Sequence, residues 1–503
     1  NNMSTVITNR VQVGRYGTNT NNFHFEADGA GNLELKRGSV ENPLGVVATF
    51  GDTQDPLEYS PVGTGAVVRT VGDKLHESVS VLDFIPTTEH AAIFSGTSTF
   101  DCAPHFNLAI DHVNSIGGGT VRVPTGTYHV VSAINMKSNV TVDCDDFAVI
   151  DGESSVLTSL IYFTGTVATG HLLVATQERG DTTFQIANAA AFVKGDIVHL
   201  NSKLSSFTPG EFALGYHTTD ECYYAEWNII ADVLGDGIYR LSKPFEFSVW
   251  TTISTVSKVT PCQFSNWIGG KIVKKESGSA SQMLIRTDWA YKCKVEGVEF
   301  DKGPQQGSSL QFWQSYQCEG KDLYLPNDQT VEFDYLRDHS KFNCLKTVGT
   351  QDCGFVGIKC HGAGQAVDFT YSNSGAPYSN IRSYCKDSFF YRNFEGLTSH
   401  QGCYQELWEG NNILDCYDDG IVPRGLAPTI RNNVFSNNLN MASLIVTAGN
   451  FIVGKQYRIK TVGTTDFIDI GASANVAGIT FIADDVGSGT GTATIADTYG
   501  VRI

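Results

Sequence analysis

The densest run of side chains able to do chemistry is residues 403–425, CYQELWEGNNILDCYDDGIVPRG. It interleaves Glu406, Glu409, Asp415, Asp418 and Asp419 with Tyr404, Trp408 and Tyr417, and closes with Arg424. Two neighbouring carboxylates can divide the cleavage of a glycosidic bond. One protonates the leaving oxygen, and the other attacks or activates water. Elimination would instead need a base beside cations that stabilise the developing charge. In a strand, residues 406 and 408 share a face and 409 points the other way. Trp408 could therefore offer a sugar ring a platform beside Glu406. The candidate catalytic groups are Glu406, Glu409, Asp418 and Asp419. The candidate substrate-binding groups are Tyr404, Trp408, Tyr417 and Arg424. Asp418-Asp419-Gly420 reads equally as a turn, because Asp side chains bond their own backbone there.

Other stretches carry less. Glu332, Asp334 and Asp338, with Arg337 and His339, suit a solvated loop or a subunit contact as well as a site. Trp289 and Trp313 read as packing. His24, His76, His90, His105, His112 and His129 lack metal-ligand spacing, and no alternating Asp run ends in Glu as a calcium loop would. No metal or other cofactor is expected. The Gly-rich VGSGTGTA near the end is not followed by a helix with a Lys, so nucleotide binding is not expected. The 12 Cys include no CxxC pair and often sit beside apolar residues. They read as small buried hydrophobes in a protein folded in a reducing cytoplasm.

Composition bounds the partners. The chain has 503 residues, of which 17% are charged and 51 are Gly. Its length favours several modules, and the low charge argues against coiled coil or disorder. A net charge of −18 would be repelled by nucleic-acid phosphates and anionic membranes, so neither is an expected partner. No apolar run is long enough to span a bilayer and no signal peptide opens the sequence. Release by other means, such as lysis, is the expectation.

Residues 1–60 alternate apolar and polar with turns at Gly14, Gly17 and Gly29, a small β module. In 61–85, Val67, Val68, Val71 and Leu75 have the spacing of a short amphipathic helix, a candidate neck where subunits meet. Ala109, Ile110 and Val113 form a helical stripe that could cap an open solenoid end, and Gly117 to Gly119 end that helix. From 262 to 440, Gly or Asn precedes an apolar residue irregularly, at Gly269-Gly270-Lys271-Ile272, Gly297-Val298, Gly320-Lys321-Asp322-Leu323, Gly410-Asn411-Asn412-Ile413 and Asn432-Asn433-Val434. Weaker instances lie near Val348 and Ile358. Periods of this size point to stacked coils of short strands. Residues 160–261 are less regular and read as an insertion, and 445–503 as a small β domain.

The segment 81–146 is specific. Val81-Leu82-Asp83-Phe84, a helix around Phe106 to Val113, Gly117-Gly118-Gly119-Thr120-Val121 and Pro124-Thr125-Gly126-Thr127-Tyr128 resemble the opening of pectate-lyase-like bacteriophage tail spikes and tail fibres. The usual Gly-Asp-Gly piece is replaced by IPTTEHAAIFSGTSTFD. The acidic pair also faintly resembles the Asp-Asp segment of polygalacturonase-type hydrolases. Their other motifs are not found in order, and His361-Gly362 precedes the pair, so no mechanism carries over.

The resemblance implies an all-β chain built on a right-handed parallel β-helix, assembled as a homotrimer. The expected order is a virion-attachment module over 1–60 that contacts the phage tail or baseplate, a neck over 61–85, a receptor-binding β-helix over 86–444 with a cap helix near 103–115, and a C-terminal β domain over 445–503. It implies a phage-tail protein of the virion, assembled in the host cytoplasm, whose partner is bacterial surface polysaccharide. The chain would recognise that polysaccharide, either as a depolymerase that cuts it (glycoside hydrolase or lyase), as an adhesin that only binds it, or as a structural fibre.

Overall fold

The computed structural model describes residues 10–13, 23–27, 33–38, 43–50, 58–59, 64–70, 74, 78–153, 159–188, 191–203, 223–247, 251–274, 283–301, 308–326, 343–370, 379–400, 402–416, 419–436, 438 and 445–495. The chain divides into two compact units, Asn1–Val79 and Ser80–Ile503.

In the first unit, strands Arg10–Val13, Phe23–Ala27, Leu33–Gly38 and Pro43–Phe50 form an antiparallel sheet in chain order. The helix expected from Val67 onward does not start there. Val67 and Val68 are exposed in irregular chain and lead into the strand Arg69–Thr70. Consecutive β-branched residues favour extended backbone. Val71 and Leu75 lie outside the described residues.

The second unit is a parallel β-helix. Each coil gives one strand to each of three parallel sheets. The first sheet runs from Gly119–Val123 to Thr429–Arg431, the second from Gly126–Val130 to Val434–Ser436, and the third from Ile134–Met136 to Ile421–Val422. Like residues stack in register inside. In the third sheet Ile161, Ile285, Leu310, Leu345, Val367, Leu397 and Ile421 form one column, and all are buried. Each such side chain contributes roughly 1.5–3 kcal/mol relative to exposure.

The Gly/Asn signal marks the corner between the first and second sheets except at Gly320, which lies inside the strand Glu319–Lys321. Gly297, Asp322, Gly357, Asp387, Gly410 and Asn432 all have positive φ there, a conformation that Gly adopts freely and Asp and Asn tolerate. Ile358 belongs to this corner. Val348 does not, since it ends a strand of the third sheet. At the upper coils the residue after the turn is polar. Asn411 Nδ2 donates to the Cys385 carbonyl and its Oδ1 accepts from the Ser388 amide, while Asn433 Oδ1 accepts from the Asn411 amide.

The helix Ala103–Ser115 buries Phe106, Ala109, Ile110 and Val113 over the first coils, with Phe106 stacked 6.4 Å from Trp267. A second helix, Thr87–Ser95, occupies the segment that replaces Gly-Asp-Gly. Between third-sheet strands Ser159–Thr164 and Met283–Asp288, which pair directly, the chain makes an antiparallel sheet of its own over residues 166–260. That sheet is closed by a core of Phe184, Phe192, Tyr239 and Phe245 among others. Residues 445–495 form a last antiparallel sheet around Phe451, Tyr457, Phe467 and Phe481. Every described cysteine is a buried free thiol. Among the described residues no helix is long and apolar enough to cross a membrane.

Candidate functional site

The acidic stretch is split by the coil. Trp408 is fully buried and stacks on Phe369 at 4.3 Å, so it offers no face to a sugar. Glu406 does share its side of the chain, but that side is the interior. Each residue preceding a first-sheet strand lies in one inner column, Cys293, Cys318, Cys353, Ser383 and Glu406, and every member is buried. Burial pushes the Glu406 carboxyl up to about 7, against a smaller pull from its own backbone and Ser399. Gly425 makes room for it, since a Cβ there would overlap the carboxylate. Glu409 points outward on the first sheet and pairs with Arg431 at 2.8 Å. Tyr404 packs on Phe247 at 5.2 Å. Asp419 is fully buried. Tyr417 and Asp418, like Glu332, Asp334, Arg337, Asp338 and His339, lie outside the described residues. The expected pairing of Glu406 with Trp408 around a sugar is therefore corrected. Alternation places two residues on one face, but it does not say which face looks outward.

The outer face of the third sheet gathers a different set. Val367 and Phe369 point inward, which turns Asp368 outward between them. Its carboxylate is 1% exposed, closed over by Lys346 Nζ at 2.9 Å and His400 Nε2 at 3.3 Å. Lys346 stands opposite Asp368 one coil earlier, and Thr398 opposite it one coil later. Arg424 reaches this column by donating to Thr398 Oγ1 at 3.3 Å, and its amide donates to Ser399 Oγ at 2.9 Å. Glu395, which accepts from Gln365 Nε2 at 2.8 Å, alternates with these residues and begins its strand on the side of the inward Leu397. Asp419 stands next to it on the following coil, its carbonyl accepting from the Gly396 amide at 3.0 Å.

The chemistry available follows from which groups stay open. Lys346, Glu395, His400 and Arg424 are half-buried, while Asp368 is closed. A buried carboxylate beside one ring nitrogen positions a histidine, leaving the other nitrogen to exchange a proton with a substrate. The flanking Lys346 and Arg424 can hold a developing anion. Of the residues singled out in the sequence, this face includes Arg424; Asp419, two residues before the inward Ile421, is buried. Asp368, Glu395, His400 and Lys346 were missed, because they come from strands that no turn motif marks.

A second cluster, also missed, fastens the 166–260 sheet to the coil. Arg382 bonds Asp352 at 2.5 and 3.0 Å and also Glu246. Lys243 donates to Tyr316 Oη at 2.9 Å and lies 3.9 Å from Asp352. Behind them Glu226 Oε2 accepts from the Glu246 amide at 3.0 Å. Burial, chiefly, raises the Glu226 carboxyl to about 8. Nearby, Trp227 stacks on Tyr316 at 5.8 Å and its amide donates to Gln351 Oε1 at 2.6 Å. Trp289 packs here too, 4.9 Å from His199.

Comparison with known proteins agrees with the fold. No protein-family model matches the chain, and no curated protein does. Among solved structures it is similar to the tailspike of Acinetobacter baumannii bacteriophage AP22, solved in complex with A. baumannii capsular saccharide. The TM-score is 0.52 at 12% identity, over 75% of this chain and 61% of that one. The Pseudomonas phage phi297 tailspike is similar at a TM-score of 0.48 and 13% identity, over 71% of this chain and 70% of that one. The Pseudomonas phage LKA1 tailspike follows at 0.46 and 11%, over 69% and 61%. The chain thus spans about three fifths of the first of these structures, and what it shares with that tailspike is the parallel β-helix.

Proposed function

We propose that this chain is a phage tail spike that recognises a bacterial surface polysaccharide and cuts it on the outer face of the third sheet. The observation that carries the reading is the half-open His400 held by the closed Asp368, with Lys346, Arg424 and Glu395 on the same sheet. His400 is the proton-transfer group and Asp368 its positioning residue. Lys346 and Arg424 stabilise charge on the substrate. The half-open imidazole of His400 beside two cations suits proton transfer during cleavage of a glycan. The solved tailspike with a bound capsular saccharide supports a saccharide as the ligand class. The homotrimer, the virion-attachment role of 1–60 and assembly in the host cytoplasm belong to this proposal.

The second reading, an adhesin that binds without cutting, is favoured by the closure of Asp368, Glu406 and Asp419. Incubation with host surface polysaccharide separates the two. Hydrolysis gives new reducing ends, and elimination gives an ultraviolet-absorbing product. Binding with neither product establishes the adhesin, and absence of binding overturns both readings.

A further inference from the structure

The outer face of the second sheet changes character along the coil. In the lower coils it is charge-paired, with Lys271 bonded to Glu299 at 2.9 Å and to Asp301 at 3.1 Å. The neighbouring first-sheet face is paired in the same way at its lower and last coils, through Lys294–Glu296, Lys321–Glu296 and Arg431–Glu409, and between them Lys386 lies 5.0 Å over Tyr384. Higher up, the second sheet turns aromatic. Tyr324, Lys359 and Phe389 stand in register on successive coils, and His361 and Tyr391 stand in the adjacent column. Tyr324 is 47% and Phe389 42% exposed. His361 stacks on Tyr391 at 5.3 Å and 21°, and Phe389 lies at 26° to the same ring. The rings therefore form a flat apolar strip open to solvent.

A core reading does not explain this strip. The alternate residues Leu325, Cys360 and Phe390 already fill the interior, so the outer rings are surplus to packing. Exposed aromatic surface of this kind marks a binding site more often than an accident.

The strip also carries cations without carboxylate partners among the described residues. Lys359 is exposed between Tyr324 and Phe389, and the Arg392 guanidinium sits 5.0 Å over the Tyr391 ring. On a chain of net charge −18, two cations left open amid aromatic rings complement an anionic ligand. The apolar faces of pyranose rings stack on aromatic rings, and a carboxylate accepts charge-assisted bonds from Lys and Arg. Tyr324 and Phe389 are two coils apart, roughly 9.5 Å at sheet spacing, a span that suits linked sugar rings better than a single one.

We infer that the second-sheet strip formed by Tyr324, Lys359, His361, Phe389, Tyr391 and Arg392 is a docking site for a carboxylate-bearing polysaccharide. The inference rests on the glycan-recognition reading above and specifies its ligand as acidic. It places recognition on a different sheet from the His400 site, so the bound chain would wrap from one sheet to the next.

The test is an array of bacterial surface polysaccharides probed with the full chain, each retained glycan then re-tested after chemical reduction of its carboxyls to alcohols. The expected result is that the retained glycans contain uronic or other acidic sugars and that carboxyl reduction weakens binding about tenfold or more. Phe389→Ala and Lys359→Ala/Arg392→Ala should each weaken it by about the same factor, and Phe389→Tyr should restore it. These side chains are surface-exposed, and circular dichroism should be unchanged. Retention of neutral glycans with no effect of reduction overturns the acidic ligand. Variants that bind as the parent overturn the strip and leave the proposed function standing. A changed oligomeric state in Phe389→Ala with unchanged binding also overturns it, because the strip is then a contact between copies. Failure of the parent to retain any glycan removes the proposed function along with this inference.

Discussion

Two clusters in the β-helix unit bring acids and bases together, and they differ in how far their charges are satisfied. At the seam with the 166–260 sheet, Arg382 and Lys243 are bound to Asp352, Glu246 and Tyr316, while Glu226 is kept neutral by burial. On the outer face of the third sheet Asp368 is closed over by Lys346 and His400, and His400 and Arg424 stay partly open. A closed network of charges fixes one geometry and makes breaking it costly. A half-open network keeps groups free to exchange protons with a ligand. The seam is thus read as a fastening and the third-sheet face as a site, a contrast that substitutions can break.

The largest expected effect is at the site. His400→Ala should lower polysaccharide cleavage by about 10²–10⁴-fold with thermal unfolding unchanged. A variant that still cleaves would move the chemistry elsewhere. Next, Arg382→Ala should cost the seam about 3 kcal/mol by leaving Glu246 without its cation and Asp352 with Lys243 alone. Amide hydrogen exchange in strand Tyr223–Gly235 should rise while cleavage persists; if cleavage falls instead, the two roles have been assigned the wrong way round.

The pH dependence of the seam is the third test. Glu226 has its folded pKa raised from 4.5 to about 8, so the folded state holds the proton more tightly. The stability this confers is complete below about 4.5 and is lost as pH rises through about 8. Protection of the same strand should therefore fall as pH rises from about 4.5 to 8 and level off above that. Glu226→Gln should flatten that profile, by on the order of 2 kcal/mol at pH 9. The smallest effect belongs to Glu409→Ala, which breaks a surface pair with Arg431 and should change stability by about 0.5 kcal/mol or less. A large loss of cleavage there would return Glu409 to the site.

Some of this was legible in the residues and some was not. The corner turns announced themselves, because positive φ favours Gly, Asn and Asp, and Gly297, Gly357, Gly410 and Asn432 stand there. Asp387 makes the same turn without standing out. The capping stripe was equally readable, since Phe106, Ala109, Ile110 and Val113 must find cover. The site was not. Lys346, Asp368, His400 and Arg424 meet only because coils of unequal length stack in one register, and no local pattern encodes that register. The inward turn of Glu406 and Trp408 was hidden for a related reason. A buried carboxylate looks, in sequence, like an exposed one.

The looped-out sheet has a kinetic consequence. Val142 pairs with Trp267 across 267 − 142 = 125 residues, whereas Trp267 pairs with Val295 across 295 − 267 = 28. Each doubling of a loop adds about 0.6 kcal/mol to closure, so joining the second coil to the third directly would be the slow step. Thr166 and Thr260, however, are paired at the base of that sheet. Once 166–260 has folded, the two coils are tethered almost as closely as neighbours. Weakening its core, as with Tyr239→Ala, should therefore delay refolding of the whole stack as well as lower local stability, and rapid-mixing fluorescence would show a slower coil-forming phase.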